Sequence, residues 1–495
     1  MSTTSVSTEN LDRRRWLALS VVCLAQLMIV LDTTIVNVAL PSIQRELGFS
    51  QSELTWVINA FMITFGSLLL LAGRLGDLFG RRRIFLAGVA VFTTASVLCG
   101  ASSSPAMLIA ARLLQGAGGA MSASVILALI VTAFQEPGER ARAMGAYMFT
   151  AVAGGSLGLI AGGVLTQELD WHWIFFVNVP IGVVTFVLGR ALIPDDGPLA
   201  LHRRVDWTGA ALVTLSLMSG VYAITLAPSD GWTSERVLAF GAVAVALMSG
   251  FLALESRLRD PLLPLRILRL RGLVGSSVAR AFLVTAMYTS FFLGTLYMER
   301  LLHFGALKTG LAWLPWTVTV AILSLGVTAR LMRRFGALRL MVAGMTIVVG
   351  SALLLHGAGP HTAYFPRLFV AFIAGGLGVG LAFMPLLTTA MGEVPNADAG
   401  LGSAIVNVSQ QLSGALGLAV LGSIATSRSR ELIAVGHPVP GALLDGYHLA
   451  FALAALSALA AIVVVLTVLR RRPPARERVV APALAREGER ERQVA

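Results

Sequence analysis

Apolar runs close to twenty residues long recur from Leu17 to Leu469, and they constrain the fold more than any other feature. A hydrocarbon core about 30 Å thick takes about 20 helical residues to cross. Inside lipid every backbone N–H and C=O must be paired within the protein, so repeated runs of this length mean a bundle of transmembrane helices. A barrel would show alternating segments of about ten residues instead, and the chain has none. Fourteen runs can be drawn, at about 17–40, 54–73, 84–102, 106–133, 143–165, 172–193, 207–227, 237–255, 273–297, 309–329, 340–357, 368–390, 401–426 and 447–469. The expected fold is an all-α polytopic membrane protein, and an even number of crossings puts both termini on one side. Composition agrees: only 13% of the 495 residues are charged, where a soluble protein carries about 25%.

The formal charge of +12 is placed by topology. Of the 38 Lys and Arg, 29 fall on the side of the termini (Arg190 at the inner end of the sixth run included), and 7 on the other. Only Arg112 and Arg280 lie well inside runs. Basic loops stay in the cytoplasm, so both termini are expected there, in a multi-pass protein of the cell (plasma) membrane. The positive face then meets anionic lipid and not nucleic acid. Cys23 and Cys99 both sit inside runs, which gives no disulfide framework. Arg13–Arg15 precede the first run as in a signal peptide, but that run is too long and lacks a small-residue cleavage site, so it reads as a retained span.

An internal repeat organises the runs. Arg74, Leu75, Phe79, Gly80 and Arg83 reappear 256 residues later as Arg330, Leu331, Phe335, Gly336 and Arg339. Gly48, Leu54 and Trp56 reappear at an offset of 257 as Gly305, Leu311 and Trp313. The expected organisation is a six-helix bundle over 1–195, a two-helix insert with charged linkers over 196–270, a second six-helix bundle over 271–472, and a disordered polar tail over 473–495. Parallel repeats of this kind place a site between the halves, near the bilayer midplane.

Four stretches carry chemistry. In "LDTTIVNVALP" (Leu31–Pro41) Asp32 lies in the outer half of the first run. A carboxylate at a helix centre in lipid costs about 2.5–3.5 kcal/mol on the insertion scale. Gln26, Thr33 and Asn37 share one stripe of that helix, with Asp32 at its edge, expected to face a central cavity. The plain alternative is a structural acid paired with an arginine. In "GRLGDLFGRRR" (Gly73–Arg83) Gly73 and Gly80 permit a sharp turn and close approach. Asp77, Arg81 and Arg82 can form a latch, with Asp77 paired to Arg81 or set at another helix's N-terminus; the plain alternative is a basic topogenic loop. In "LIAARLLQGAGGA" (Leu108–Ala120) Arg112 and Gln115 share a face, and a permanent cation there must meet a partner or a cavity. In the fifth run Gly154, Gly158 and Gly162, with Gly163 beside them, make a small-residue face, either a bearing between halves or ordinary packing.

Ser403, Asn407, Gln410, Gln411 and Gly414 line one face of the thirteenth run, as substrate contacts or as interhelical glue. Tyr147, Tyr288, Phe292, Trp313 and Trp316 could add aromatic contacts. Arg280 reads as a snorkelling arginine. "DWHWIFFVNVPIG" (Asp170–Gly182) reads as an aromatic belt, and "GGLGVG" (Gly375–Gly380) has no preceding strand and is not a nucleotide fingerprint. No metal-ligand cluster, nucleophile–base pair or phosphate loop stands out.

Together these motifs resemble the drug:proton antiporters with fourteen spans of the major facilitator superfamily. "LDTTIVNVALP" is similar to that family's span-1 motif, "GRLGDLFGRRR" to the superfamily's loop motif, "RLLQGAGGA" to its span-4 motif and the fifth-run glycines to its antiporter motif. One departure is that Leu159 follows Gly158 where the motif usually has proline. The resemblance implies the major facilitator fold and proton-coupled export of amphipathic small molecules such as drugs and antibiotics. It supports a role in proton coupling for Asp32 and Arg112, which a buried carboxyl and a fixed cation in spans already suggest; Gln26, Asn37, Gln115, Tyr147, Tyr288, Phe292, Asn407 and Gln411 are the cavity candidates. No cofactor or metal is expected beyond the proton gradient, and the protein is expected to be a monomer and not an enzyme. Dedicated export of one self-made antibiotic or metabolite is the alternative, and a non-transporting receptor or scaffold a further one.

Overall fold

The computed structural model describes residues 3–49, 54, 56–195, 206–258, 261, 263–264, 266–360 and 362–469. The expected tail over 473–495 and most of the first linker lie outside the described residues. The described chain is helical, with no strand among its elements. In order these are α1 (Thr3–Leu47), α2 (Trp56–Phe79), α3 (Arg81–Gly100), α4 (Pro105–Ala133), α5 (Pro137–Glu168), a short turn of helix (Trp173–Phe176) and α6 (Asn178–Leu192). There follow α7 (Trp207–Asp230), α8 (Glu235–Glu255), α9 (Arg271–Arg300), α10 (Ala306–Ala312), α11 (Leu314–Ile322), α12 (Thr328–Phe335), α13 (Ala337–His356), α14 (Phe369–Gly392), α15 (Ala399–Ala434) and α16 (Val439–Val464).

Among the described residues thirteen helices are long and apolar enough to cross a membrane, one fewer than the fourteen expected. The missing one is the run at 309–329. There the chain breaks into α10, α11, a π-turn over Leu323–Val327 and α12, and Gly326 takes a φ of +115°. Hydropathy averages over such breaks, so the run looks continuous in sequence.

Helix starts follow local chemistry. Pro105 and Ser104 open α4, with the Ser104 hydroxyl accepting the Met107 N–H at 3.3 Å. Asp206 caps α7 through the Gly209 N–H at 2.9 Å.

The helices pack as two groups. In one, α1 lies against α5 and α6, and α4 against α2 and α3. In the other, α9 lies against α14, α15 and α16, and α13 against α14 and α16. The repeat is visible at backbone level. Gly80, with φ +102°, ends α2 and lets α3 begin at the next residue; Gly336, with φ +82°, does the same between α12 and α13. Such φ values disfavour any residue with a Cβ. Gly88 and Gly118 bring α3 onto α4 so closely that a Cβ on Gly88 would lie 2.8 Å from the Gly118 carbonyl. Gly344 and Gly378 do likewise for α13 and α14, at 2.6 Å. The inserted α7 and α8 pair with each other, and α7 touches both α2 and α15, lying across the seam between the groups.

Candidate functional site

Asp32 is wholly buried within the first group, and five helices supply its surroundings. Its Oδ2 accepts from Arg112 Nη1 at 2.6 Å, and its Oδ1 from Gln115 Nε2 at 2.8 Å and Asn178 Nδ2 at 3.0 Å. Arg112 and Gln115 stand one turn apart on α4 and so reach the acid together. Arg112 Nη1 also donates to Gln115 Oε1 at 2.6 Å, and its Nε to the Val57 carbonyl of α2 at 2.8 Å. The guanidinium lies over the Phe61 ring at 4.6 Å. Gln115 Nε2 donates in turn to Ser96 Oγ on α3 at 2.8 Å. Asp32 is 0% and Arg112 1% exposed. Desolvating each ion costs several kcal/mol, which only such complete bonding can offset. One polar atom is left over: Asn178 Oδ1 is buried without a hydrogen-bond partner.

Two expectations change here, and two residues join the site. Asp32 does not line an open cavity; it is enclosed among α1, α2, α3, α4 and α6. Gln115 belongs to this enclosed cluster and not to a cavity wall. Ser96 and Asn178 were missed in sequence. A lone serine in an apolar run carries no signal. Asn178, inside the stretch read as an aromatic belt, carries the signal of any amide in a span. Gln26 is half-buried, and the Asn37 side chain lies outside the described residues.

The α5 glycines act on the same acid. A Cβ on Gly158 would meet Thr34 Oγ1 at 1.9 Å and the Leu31 carbonyl at 2.9 Å. One on Gly154 would meet Val30 at 3.1 Å, and one on Gly162 would meet Ile35 at 3.0 Å. The stripe therefore seats α1 on α5 within one group, at the turn that carries Asp32, and is not a bearing between halves. Gly163 has no atom within 4 Å of its added Cβ and lies off the stripe. The Leu159 side chain is outside the described residues.

The halves do meet elsewhere, at the end that carries the basic loops. Asp77 Oδ1 accepts the Gly400 N–H and its Oδ2 the Leu401 N–H, each at 2.9 Å, so the α2 carboxylate caps the first turn of α15. This is the helix N-terminus pairing expected of it. Arg81 Nη2 bonds Asp77 at 3.0 Å and also donates to the Asn396 carbonyl across the seam. Gly73 and Gly400 let the backbones touch: a Cβ on Gly73 would lie 2.6 Å from the Gly400 carbonyl. Gly80 makes the turn described above. Beside them Asp398 takes Arg74 at 3.5 Å and Arg266, from the linker after the insert, at 2.9 Å. Arg82 is not part of this contact. It stands 3.7 Å from Asp195 and donates to the Arg190 carbonyl, both at the end of α6.

The seam stays closed toward the midplane. Asn407 Nδ2 on α15 donates to the Ala123 carbonyl of α4 at 3.1 Å, and a Cβ on Gly145 of α5 would fall 2.2 Å from the Ser324 carbonyl. Asn407 is thus a contact between halves and not a cavity group. Trp313 and Trp316 are buried in the second group, where Trp313 packs on Phe372 and Phe291 at 4.2 and 4.5 Å. Tyr147 is buried, whereas Tyr288 and Phe292 are exposed. Gln411 is half-buried, and its neighbour Gln410 makes the polar contact, accepting from Arg280 Nη2. Arg280 does not snorkel: it is buried, 5.0 Å over the Phe383 ring.

Known proteins share this plan. The family model described as Major Facilitator Superfamily matches residues 22–418. The puromycin resistance protein pur8 of Streptomyces alboniger is 39% identical over 444 residues, covering 89% of this chain and 88% of that one. The cephamycin export protein CmcT of Amycolatopsis lactamdurans is 36% identical over 419 residues, covering 83% and 85%. The crystal structure of the human organic anion transporter MFSD10 (TETRAN) is similar in fold, with a TM-score of 0.66 at 16% identity over 91% of this chain and 99% of that one. Helical halves joined across a glycine-rich contact, a family model spanning most of the chain, and relatives of matching length converge on one assignment: the chain belongs to the Major Facilitator Superfamily.

Proposed function

We propose that this protein is a proton-coupled antiporter that exports amphipathic small molecules, drugs or antibiotics, across the cytoplasmic membrane by alternating access. The observation that carries the reading is the enclosed Asp32 carboxylate, held by Arg112, Gln115 and Asn178. The names of the relatives, one for puromycin resistance and one for cephamycin export, support the substrate class. The bias of basic loops supports a cytoplasmic basic end, and the broken series α10–α12 then completes fourteen crossings. The contacts at Asp77, Gly73 and Asn407 correspond to a conformation shut on the cytoplasmic side.

In this mechanism Asp32 alternates between two partners. Ionised, it is bound to Arg112. Protonated, it becomes a hydrogen-bond donor and needs an acceptor, which Asn178 Oδ1 provides once its amide turns over. Arg112 is then released from its counter-charge, and the halves rock. Each proton moving inward across 100 mV supplies about 2.3 kcal/mol for export.

Export of a single self-made antibiotic by the same mechanism is favoured by relatives named for single compounds. Liposomes holding a pH-sensitive dye test the reading. Under an imposed proton gradient, a panel of cationic, neutral and anionic drugs should trigger proton movement. A broad response supports multidrug export, and a response to one compound supports the dedicated exporter. No response to the panel or to puromycin and cephamycin, in folded protein, would overturn antiport.

A further inference from the structure

Among the described residues four arginines are almost completely buried: Arg74, Arg81, Arg112 and Arg280. Three are matched by a carboxylate, Asp398, Asp77 and Asp32 respectively. Arg280 forms no ion pair among the described residues. Its Nη2 donates to Gln410, while its Nε and Nη1 are buried without any hydrogen-bond partner. Three of the five N–H donors of a permanent cation are thus unused in a span, where an uncompensated charge is costly.

The position is that of a ligand site. Arg280 is nine residues into the 30-residue α9, about 14 Å along it at 1.5 Å per residue, and so inside a core about 30 Å thick. Gln410 stands one turn beyond Asn407, on the same face of α15, and Asn407 already touches the other half. Gln410 therefore looks onto the seam, just past the point where the halves close. Tyr147, from α5 of the first half, and Tyr288 both lie close to Arg280. Tyr288 lies beside Gln410 and rests on Gly414, its ring 3.6 Å from where a Cβ there would stand. It is 36% exposed, which leaves one side of the group open. A cation with free donors, flanked by Phe383, Tyr147 and Tyr288, fits a ring system bearing one anionic oxygen group.

We infer that Arg280, with Gln410, Tyr147 and Tyr288, forms a binding site within the membrane-spanning region for amphipathic organic anions, carboxylate or phenolate, whose charge neutralises the guanidinium. The inference rests on the export reading for what the site is for, and binding can be tested without transport. The full chain in nanodiscs of phosphatidylcholine is titrated with 2-naphthoate, its methyl ester and 2-naphthylmethylammonium, read by probe anisotropy against empty discs. Naphthoate should bind at least about tenfold tighter than the ester, a difference of about 1.4 kcal/mol. Arg280→Gln should erase the preference and Arg280→Lys retain most of it. Gln410→Glu gives Arg280 an internal counter-charge, so it should keep the fold and lose naphthoate binding. Equal affinity for acid and ester in the unaltered protein would overturn the site, as would naphthoate binding that survives Gln410→Glu.

A second set of discs containing phosphatidylglycerol separates two sources of the same chemistry. Weakened naphthoate binding there assigns the site to a lipid phosphate, and unchanged binding to a diffusing organic anion. Selective naphthoate binding without proton movement in liposomes would defeat antiport and leave the site standing. Proton movement with indifferent binding would do the reverse.

Discussion

The Asp77 carboxylate on α2 accepts the backbone N–H of Leu401, in the first turn of α15, at 2.9 Å. One acid of the first half thereby fixes a helix of the second, and with the Gly400 N–H it satisfies two donors that a helix start leaves unpaired. Hydrogen bonds to a charged group contribute about 1.5–3 kcal/mol each. Asp77→Asn should therefore move the population toward a form open at the basic end by about tenfold or more. Spin labels on the exposed Arg83 and Arg333 positions would report this as longer distances in the variant. An unchanged distance distribution would remove Asp77 from the gate.

Gly73 should be as sensitive as the acid. A Cβ there falls 2.6 Å from both Ala404 Cβ and the Gly400 carbonyl, a clash with backbone that no rotamer relieves. Gly73→Ala should hold the basic end apart and reduce transport by about tenfold or more, the effect of an overpacking cost of about 1–3 kcal/mol. The loss should come without a fall in membrane expression. Transport at the unaltered rate would contradict the close contact.

The α5 stripe offers a matched pair of substitutions. Gly158→Ala places a methyl 1.9 Å from Thr34 Oγ1, whereas Gly163→Ala meets nothing within 4 Å. The first should lower thermal stability by about 1–3 kcal/mol and displace the turn of α1 that bears Asp32. The second should be neutral, within about 0.5 kcal/mol. Thermal unfolding of the two purified variants checks the contrast, and equal melting would refute the assigned seat of α1.

Asn178 should matter although it carries no charge. Asn178→Leu removes a donor to the Asp32 carboxylate and the unused acceptor beside it. Losing a hydrogen bond to a charged group, about 1.5–3 kcal/mol, should cut proton-coupled transport by about ten- to a hundredfold. Ser96→Ala, one bond further from the acid, should cost less. Initial rates in dye-loaded liposomes give both numbers, and a fully active Asn178→Leu would exclude the amide from proton handling.

The Arg280 site has an electrical consequence. Export of an organic monoanion against one inward proton moves two charges in the same electrical sense, about 4.6 kcal/mol per 100 mV. An inside-negative potential set with valinomycin should then drive anion export more steeply than export of the neutral ester. Potential-independent exchange of the anion would contradict this.

What could be read from sequence followed the range of the interaction. Hydropathy gave the membrane-crossing runs, because burial in lipid is a property of each run by itself. It did not show the break at 309–329, where Gly326 and a π-turn divide the helix without changing its composition. Arg112 and Gln115 were legible as a pair because their spacing places them on one face. Their joint grip on Asp32, 80 and 83 residues away in the chain, was not. The latch acid was legible as an acid in need of a partner, but the partner is backbone 323 residues on. Backbone amides leave no mark in composition. Gly154, Gly158 and Gly162 announced close packing without naming the helix packed against, so a bearing between halves and ordinary packing stayed open until α1 was seen on the stripe. Arg280 gave the least warning: its significance lies in the carboxylate it lacks, which only three-dimensional neighbours reveal.

If protonation of Asp32 couples proton entry to export, its variants must separate coupling from movement. Asp32→Asn and the unaltered protein would be reconstituted with a drug that the unaltered protein transports, then assayed twice: for uphill export driven by a proton gradient, and for drug–drug exchange without one. Asp32→Asn should abolish the first and retain the second. Uphill, proton-driven export that survives in Asp32→Asn would contradict it and return the acid to a structural partner of Arg112.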